Sequence, residues 1–244
     1  MSGLGLTFLR RGNLAHPTAG SDYILSETKG DPEVFRILME KGVSSDGVGI
    51  TKEDAEKVTS ISTWFKGNSI IKDLNVLVYF IKVSGIAQYA FQGCQGLKSI
   101  NLDNVTSLDG YNFMSALDGA DIKLSKVANI WGNQAFYRSG AASIDLTGCT
   151  FTATQDSFAQ QSTRLKKITF HEALKSIGWQ ALNGCTALQE VISLGITPPS
   201  LQSDSLGGTN STFVIYVPDE AVDAYKAATN WKNFASRIKP LSEY

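Results

Sequence analysis

The chain has 244 residues, with 22 Lys and Arg against 23 Asp and Glu, a net charge of −1. That balance excludes a nucleic-acid reader working through a global basic field, because phosphate binding needs clustered positive charge. At 43% hydrophobic and 18% charged residues the chain is neither disordered nor a charged coiled coil, and its length suits one large domain or one elongated array.

Residues 1–30 carry Gly3, Gly5, Gly12, Gly20 and the pair Arg10-Arg11, without periodicity. Two readings stand: a flexible tail, or an anchoring arm that orders only when docked on a partner. In the second reading Leu6, Phe8, Arg10 and Arg11 make the contacts. The stretch is a poor secretory signal, since its charges follow the short apolar run and glycines interrupt it. No apolar run approaches the ~18 residues that span a bilayer. The longest, Val76 to Ile81, suits a buried strand. The expectation is cytoplasmic synthesis from Met1 without membrane insertion, with assembly into a virion open and the cell surface less favoured.

Asp31-Pro32-Glu33 has the order that starts a helix: an N-cap, proline in the first turn, then an acid. Val34 with Leu38, and Phe35 with Met39, give apolar pairs at i, i+4, and Gly42 is placed to end the helix. A second short helix is predicted from Thr51, with Asp54 as a weaker form of the capping box.

Beyond residue 58 the chain repeats itself. Ile100, Ile122, Ile144, Ile168, Val191 and Ile215 follow one another at steps of 22, 22, 24, 23 and 24. A second landmark, Ile86, Leu108, Ile130, Thr154 and Ile177, keeps steps of 22, 22, 24 and 23. Each unit holds one short alternating stretch, which reads as a strand with one face buried. One unit cannot bury its Ile, Phe and Leu, but stacked units share a continuous core. A degenerate first turn is placed at Ile61, Phe65, Leu74 and Val76. After the last unit, Asp219–Thr229 reads as a helix with Val222 and Tyr225 on one side, followed by Trp231, Phe234 and Ile238. These serve as a lid over the last turn or, alternatively, as an aromatic binding patch. The fold class is therefore a mainly β repeat solenoid, leucine-rich-repeat-like, with parallel strands and short α-helical caps at both ends. Its divisions are an arm 1–30, a helical cap 31–57, the repeats 58–218 and a C-terminal cap 219–244.

Residues 86–102, from Ile86 through Ala90-Phe91 and Gly93-Cys94 to Leu97, Ile100 and Leu102, resemble the BspA-like leucine-rich repeats, whose run is Ile-x-x-x-Ala-Phe-x-Gly-Cys-x-x-Leu-x-x-Ile-x-Leu. Residues 177–191 match it except for Leu182 in the Phe position and Ser193 where a second strand apolar belongs. The other units lack the Gly-Cys pair at the expected place. The segment Tyr216-Val217-Pro218-Asp219, the helix after it and Trp231-x-x-Phe234 look like the usual end of such arrays. The resemblance implies bacterial surface adhesins, interaction scaffolds and phage-encoded proteins.

No catalytic set emerges. A nucleophile–base pair needs a histidine or a substitute, and the chain has only His16, in the N-terminal segment, and His171, read as a solvated strand end. Cys94, Cys149 and Cys185 are odd in number and widely spaced, so they read as buried apolar thiols rather than a disulfide or metal framework. Gly47-Val48-Gly49 lacks the third glycine of a dinucleotide loop. The sequons at Asn104 and Asn210 would need a secretory route. No enzyme activity, cofactor or metal is expected.

The outward strand positions form two columns. One is Ser99, Asp121, Ser143, Lys167, Glu190 and Val214, and the other is Asn101, Lys123, Asp145, Thr169, Ile192 and Tyr216. Their signs alternate, and Lys123 beside Asp145 suits a cross-strand pair. Lys123, Asp145, Lys167, Thr169, Ile192 and Tyr216 are the candidate ligand-binding face. The predicted function is a non-enzymatic recognition or adhesion module that binds a protein or glycan at a bacterial or phage surface. The alternative is a structural component of a phage virion or other large assembly, attached through residues 1–30.

Overall fold

The computed structural model describes residues 22–244. Leu6, Phe8, Arg10, Arg11 and His16 lie outside the described residues. The molecule is a stack of coils, each of about two dozen residues. One short strand from each coil builds a front sheet. It contains Asp121–Lys123, Ser143–Asp145, Lys167–Phe170, Glu190–Ser193, Val214–Val217 and Ile238–Pro240, all parallel. Within it Ile122, Ile144, Ile168, Val191, Ile215 and Ile238 are successive register partners, and all are buried. The spacing of these residues thus becomes one apolar row inside the stack. Ile238, 23 residues past Ile215, adds a sixth strand where only a lid was expected.

A second strand in each coil lines another wall. Ile86, Leu108 and Ile130 pair in one three-stranded sheet; Thr154, Ile177 and Leu201 pair in another. The break falls at the 24-residue step. There the Gln155 side-chain amide donates to the Ile130 carbonyl at 3.2 Å, bridging the two sheets.

The third wall holds an aromatic ladder. Phe65, Phe91, Phe113 and Phe136 stack at 6.1, 5.1 and 4.9 Å with rings within 21° of parallel. The ladder then turns edge-on at Phe158, at 60° and 5.3 Å. The cause is a swap in sequence. Ala135-Phe136 is followed one coil later by Phe158-Ala159, and the backbone register puts Ala159 in the ladder position.

Two residues beyond each ladder position the backbone enters the left-handed region. Gly67, Gly93, Gly184 and Gly208 fill this place in four coils, but Ser115, Arg138 and Gln161 fill it in the middle three, at φ of 52°, 53° and 59°. Each of the first six amides donates to a carbonyl of the next coil, for example Ser115 N to Tyr137 O at 3.0 Å. The missing Gly of the middle repeats is therefore a change of side chain on an unchanged backbone. The left-handed region is unfavourable for a residue with a Cβ by about 1–2 kcal/mol, partly offset by the greater unfolded-state entropy of glycine. Ser115→Gly is accordingly expected to raise stability by about 0.5–1 kcal/mol, read as a higher urea midpoint, whereas Gly93→Val is expected to lower it.

The caps follow the sequence signals. The Asp31 carboxylate accepts from Glu33 N and Val34 N to start the helix Pro32–Glu40, and its other oxygen accepts from Lys72 N and Asp73 N of the first coil. One side chain thus ties cap to array. Thr51 and Asp54 form a capping box for Lys52–Lys57. Tyr23–Leu25 pairs antiparallel with Ile50–Thr51 and Leu25 is buried, so the end of the expected arm is built into this cap. At the far end Tyr225 and Trp231 are buried under the last coil, with the Trp231 indole donating to Pro199 O at 2.7 Å. Both residues therefore close the stack. Neither is an exposed patch.

The apolar run from Val76 is not a strand. Asn75–Tyr79 is a 3-10 helix, whose three-residue turn brings Leu77 and Phe80 to the same buried side and leaves Ile81 exposed.

Candidate functional site

The front sheet turns one side chain in two outward, and parallel pairing places equivalent residues beside one another. Asp121, Ser143, Lys167, Glu190 and Val214 form one outward column. Lys123, Asp145, Thr169, Ile192, Tyr216 and Lys239 form the second. The six residues expected on this face are thus brought together on five neighbouring strands. Ser99 and Asn101 do not join it. The Asn101 side-chain oxygen accepts from Asp103 N at 3.0 Å, a local turn that ends the strand at Ile100, and Ser99–Ile100 pairs only with Asp73–Leu74.

Three further expectations for this face are corrected. Lys123 and Asp145 are register partners, but no ion pair joins them. Asp145 instead accepts from its own Thr147 amide at 2.9 Å. Thr169 and Ile192 point outward yet keep only 8% and 5% exposure, so neither is open to a partner in the free chain. His171 is not a solvated strand end. It is 2% exposed, edge-on to Phe151 at 5.0 Å, with neither ring nitrogen within hydrogen-bonding geometry of a partner.

The C-terminal segment returns to this face. After the sixth strand a 3-10 turn, Leu241–Glu243, is held by Asp219, which accepts from Ser242 N at 3.0 Å. Tyr244 then lies back across three strands of the face. Its hydroxyl accepts from Lys167 Nζ and donates to Glu190 Oε2 at 3.1 Å. Its ring meets Tyr216 edge-on at 4.9 Å. The Tyr244 hydroxyl foremost, with Glu190 and Asp145 behind it, raises the Lys167 ammonium above the usual lysine value. Glu190 and Tyr244 were not among the expected site residues. Glu190 was legible as Lys167's neighbour in the column; nothing local marks Tyr244.

The N-terminal half of the face remains open. Asp121 and Lys123 are exposed, and Asp121 accepts from Ser143 Oγ at 2.6 Å. Among the described residues no group of three His, Cys, Asp or Glu could hold a metal, and no helix is long and apolar enough to cross a membrane. The three thiols are buried, and burial pushes each up to about 12. Their role is structural. Cys94 Sγ donates to Phe65 O of the preceding coil and Cys185 Sγ to Ala159 O, and in the coil just before that of Cys185 the Ser162 hydroxyl does the same for Phe136 O.

A family model of the BspA type leucine-rich repeat region matches residues 57–202 in 6 copies, more than half of the chain. The chain belongs to the BspA type leucine-rich repeat family. A search of curated proteins found no match. Repeats of the BspA type are generally non-enzymatic and suggest a protein-binding or adhesion module.

Burial makes the BspA type array sensitive to acid at His171. The buried ring disfavours its charged form, and although the Phe151 carbonyl and Glu172 oppose this, its pKa falls below the usual 6.5. In the unfolded chain no such penalty acts, so the unfolded state takes up the proton first. The stability that goes with the neutral ring is complete above pH 6.5 and is lost as pH falls below it. Stability is therefore expected to fall as pH is lowered from 7 to 5. His171→Leu should flatten that part of the profile in urea titrations at each pH.

Proposed function

We propose that this chain recognises a protein partner through the outward face of the front sheet, with Lys123, Asp145, Lys167 and Tyr216 as contact residues. The observation that carries the reading is the register. Six parallel strands hold mixed-sign side chains and an aromatic end in two fixed columns on a packed core. A rigid face loses little conformational freedom on binding. Its charges suit steering and discrimination, and an aromatic end suits an anchor. A protein surface complements such a mixture more closely than a neutral sugar does. Residues 31–57 and 219–244 act as caps that keep the ends of the array from associating, and 58–218 carries recognition. The setting that the repeats support is a bacterial or phage surface.

The test uses peptides selected from a random display library on the immobilised full chain. Alanine at Lys123, Asp145, Lys167 and Tyr216 together is expected to weaken most selected peptides at least ten-fold, with the urea midpoint lowered by no more than a surface change allows. Unchanged affinity of the folded variant removes this face from consideration.

A further inference from the structure

The contacts around Tyr244 are those of a ligand in a site. Its hydroxyl is placed between a donor, the Lys167 ammonium, and an acceptor, the Glu190 carboxylate, and uses both. Its ring takes the edge-on contact of Tyr216. The three host residues sit on three adjacent strands, and each is held by ladder pairing independent of the tail. Tyr244 itself is 56% exposed, and beyond Ser242 the tail is held only through its backbone and Glu243, by Tyr244 N donating to Leu241 O at 3.0 Å and by the Lys239–Glu243 pair at 3.3 Å. Its ring can therefore leave by rotation about its own side-chain bonds without breaking a core contact.

We infer that Lys167, Glu190 and Tyr216 form a subsite for a phenol, filled in the free chain by Tyr244 and taken over by a tyrosine side chain of the partner. The inference rests on the front face as the recognition surface and names the chemistry of one place on it. Selectivity for the hydroxyl follows from the geometry. A phenylalanine ring would fill the same space but leave the Lys167 donor and the Glu190 acceptor without the group between them. A tethered occupant competes at an effective concentration in the millimolar range, so the free chain is self-inhibited yet displaceable.

The experiment titrates N-acetyl-tyrosinamide and N-acetyl-phenylalaninamide into the isotopically labelled full chain, wild type and Tyr244→Ala, and follows backbone amide shifts. In Tyr244→Ala, saturable shifts centred on residues 167, 190 and 216 are expected with the tyrosine probe. They should be at least five-fold weaker with the phenylalanine probe and at least five-fold weaker in the wild type. In the Tyr244→Ala background, Lys167→Met should remove the preference for the hydroxyl. A flat titration of Tyr244→Ala, equal affinity for the two probes, or equal affinity in wild type and variant would each overturn the inference. Its failure is separable from that of the recognition reading. Selected peptides that ignore the front face would sink the latter whatever the titration shows. A flat titration alongside peptides that need the face would sink only the phenol subsite.

Discussion

Replacement of Phe113 by alanine is expected to lower stability by about 3–5 kcal/mol, the range for a buried aromatic removed without collapse of the space. Phe113 is fully buried midway along the aromatic ladder, with Phe91 at 5.1 Å on one side and Phe136 at 4.9 Å on the other. Collapse is opposed because the rings above and below are held by coils whose backbones are hydrogen-bonded to one another. A stacked array is stabilised by nearest-neighbour interfaces, and this substitution weakens two of them. Urea unfolding should therefore move to a lower midpoint and broaden, as the N-terminal and C-terminal coils lose their coupling. Trp131→Ala is the matched control. Trp131 is as large but 64% exposed, and its removal is expected to change stability by less than about 0.5 kcal/mol. Comparable losses at the two positions would contradict the ladder as the centre of the core.

Trp231→Ala is expected to be about as damaging, about 3–5 kcal/mol, but by a different route and with a different symptom. Trp231 is buried at the end of the array, edge-on to Tyr225 at 5.1 Å, with its indole donating to Pro199 O. Tyr225 in turn donates to Gly195 O at 2.9 Å and shares a hydrogen bond with Ser193 at 2.8 Å. Without the indole, the apolar end of the last coil meets water and the Pro199 carbonyl loses its donor. Solenoids need polar ends to stay apart, so the variant should self-associate as well as lose stability, visible by light scattering at concentrations where the wild type is monodisperse. Trp231→Phe retains most of the fill and loses the hydrogen bond, so a loss of about 1–3 kcal/mol without association is expected. An unassociated Trp231→Ala protein of wild-type stability would remove the lid role.

The register was legible because it rests on a period. Ile122, Ile144, Ile168 and Ile215 occur at steps that only stacking explains, and the ladder pairs them as spaced. What misled or stayed hidden lacks a local cause. The run from Val76 to Ile81 is apolar without alternation, a pattern that a buried strand and a buried helical turn share. Ile238 continues the 23-residue step, but Trp231 and Phe234 beside it carry an equally good cap signal. Alternation correctly turned Thr169 and Ile192 outward, yet it says nothing of what comes to lie on top. The tail reaches Lys167 across 77 positions of sequence, and no spacing rule connects them. His171 was read from its place after Phe170, whereas its environment is set by Phe151, a coil earlier. Register places Asp145 beside Lys123, but its own turn amide is the nearer donor.

The register carries the core, the outward columns and the phenol subsite together, so it is the place to test the account. The most direct measurement is a methyl–methyl Overhauser spectrum of the isoleucine- and valine-labelled full chain. The account requires an unbroken series of contacts from Ile122 to Ile144, Ile168, Val191, Ile215 and Ile238, each residue seeing its neighbours one coil away. Cross-peaks that skip members of this series, or that join these residues only to neighbours close in sequence, would contradict it.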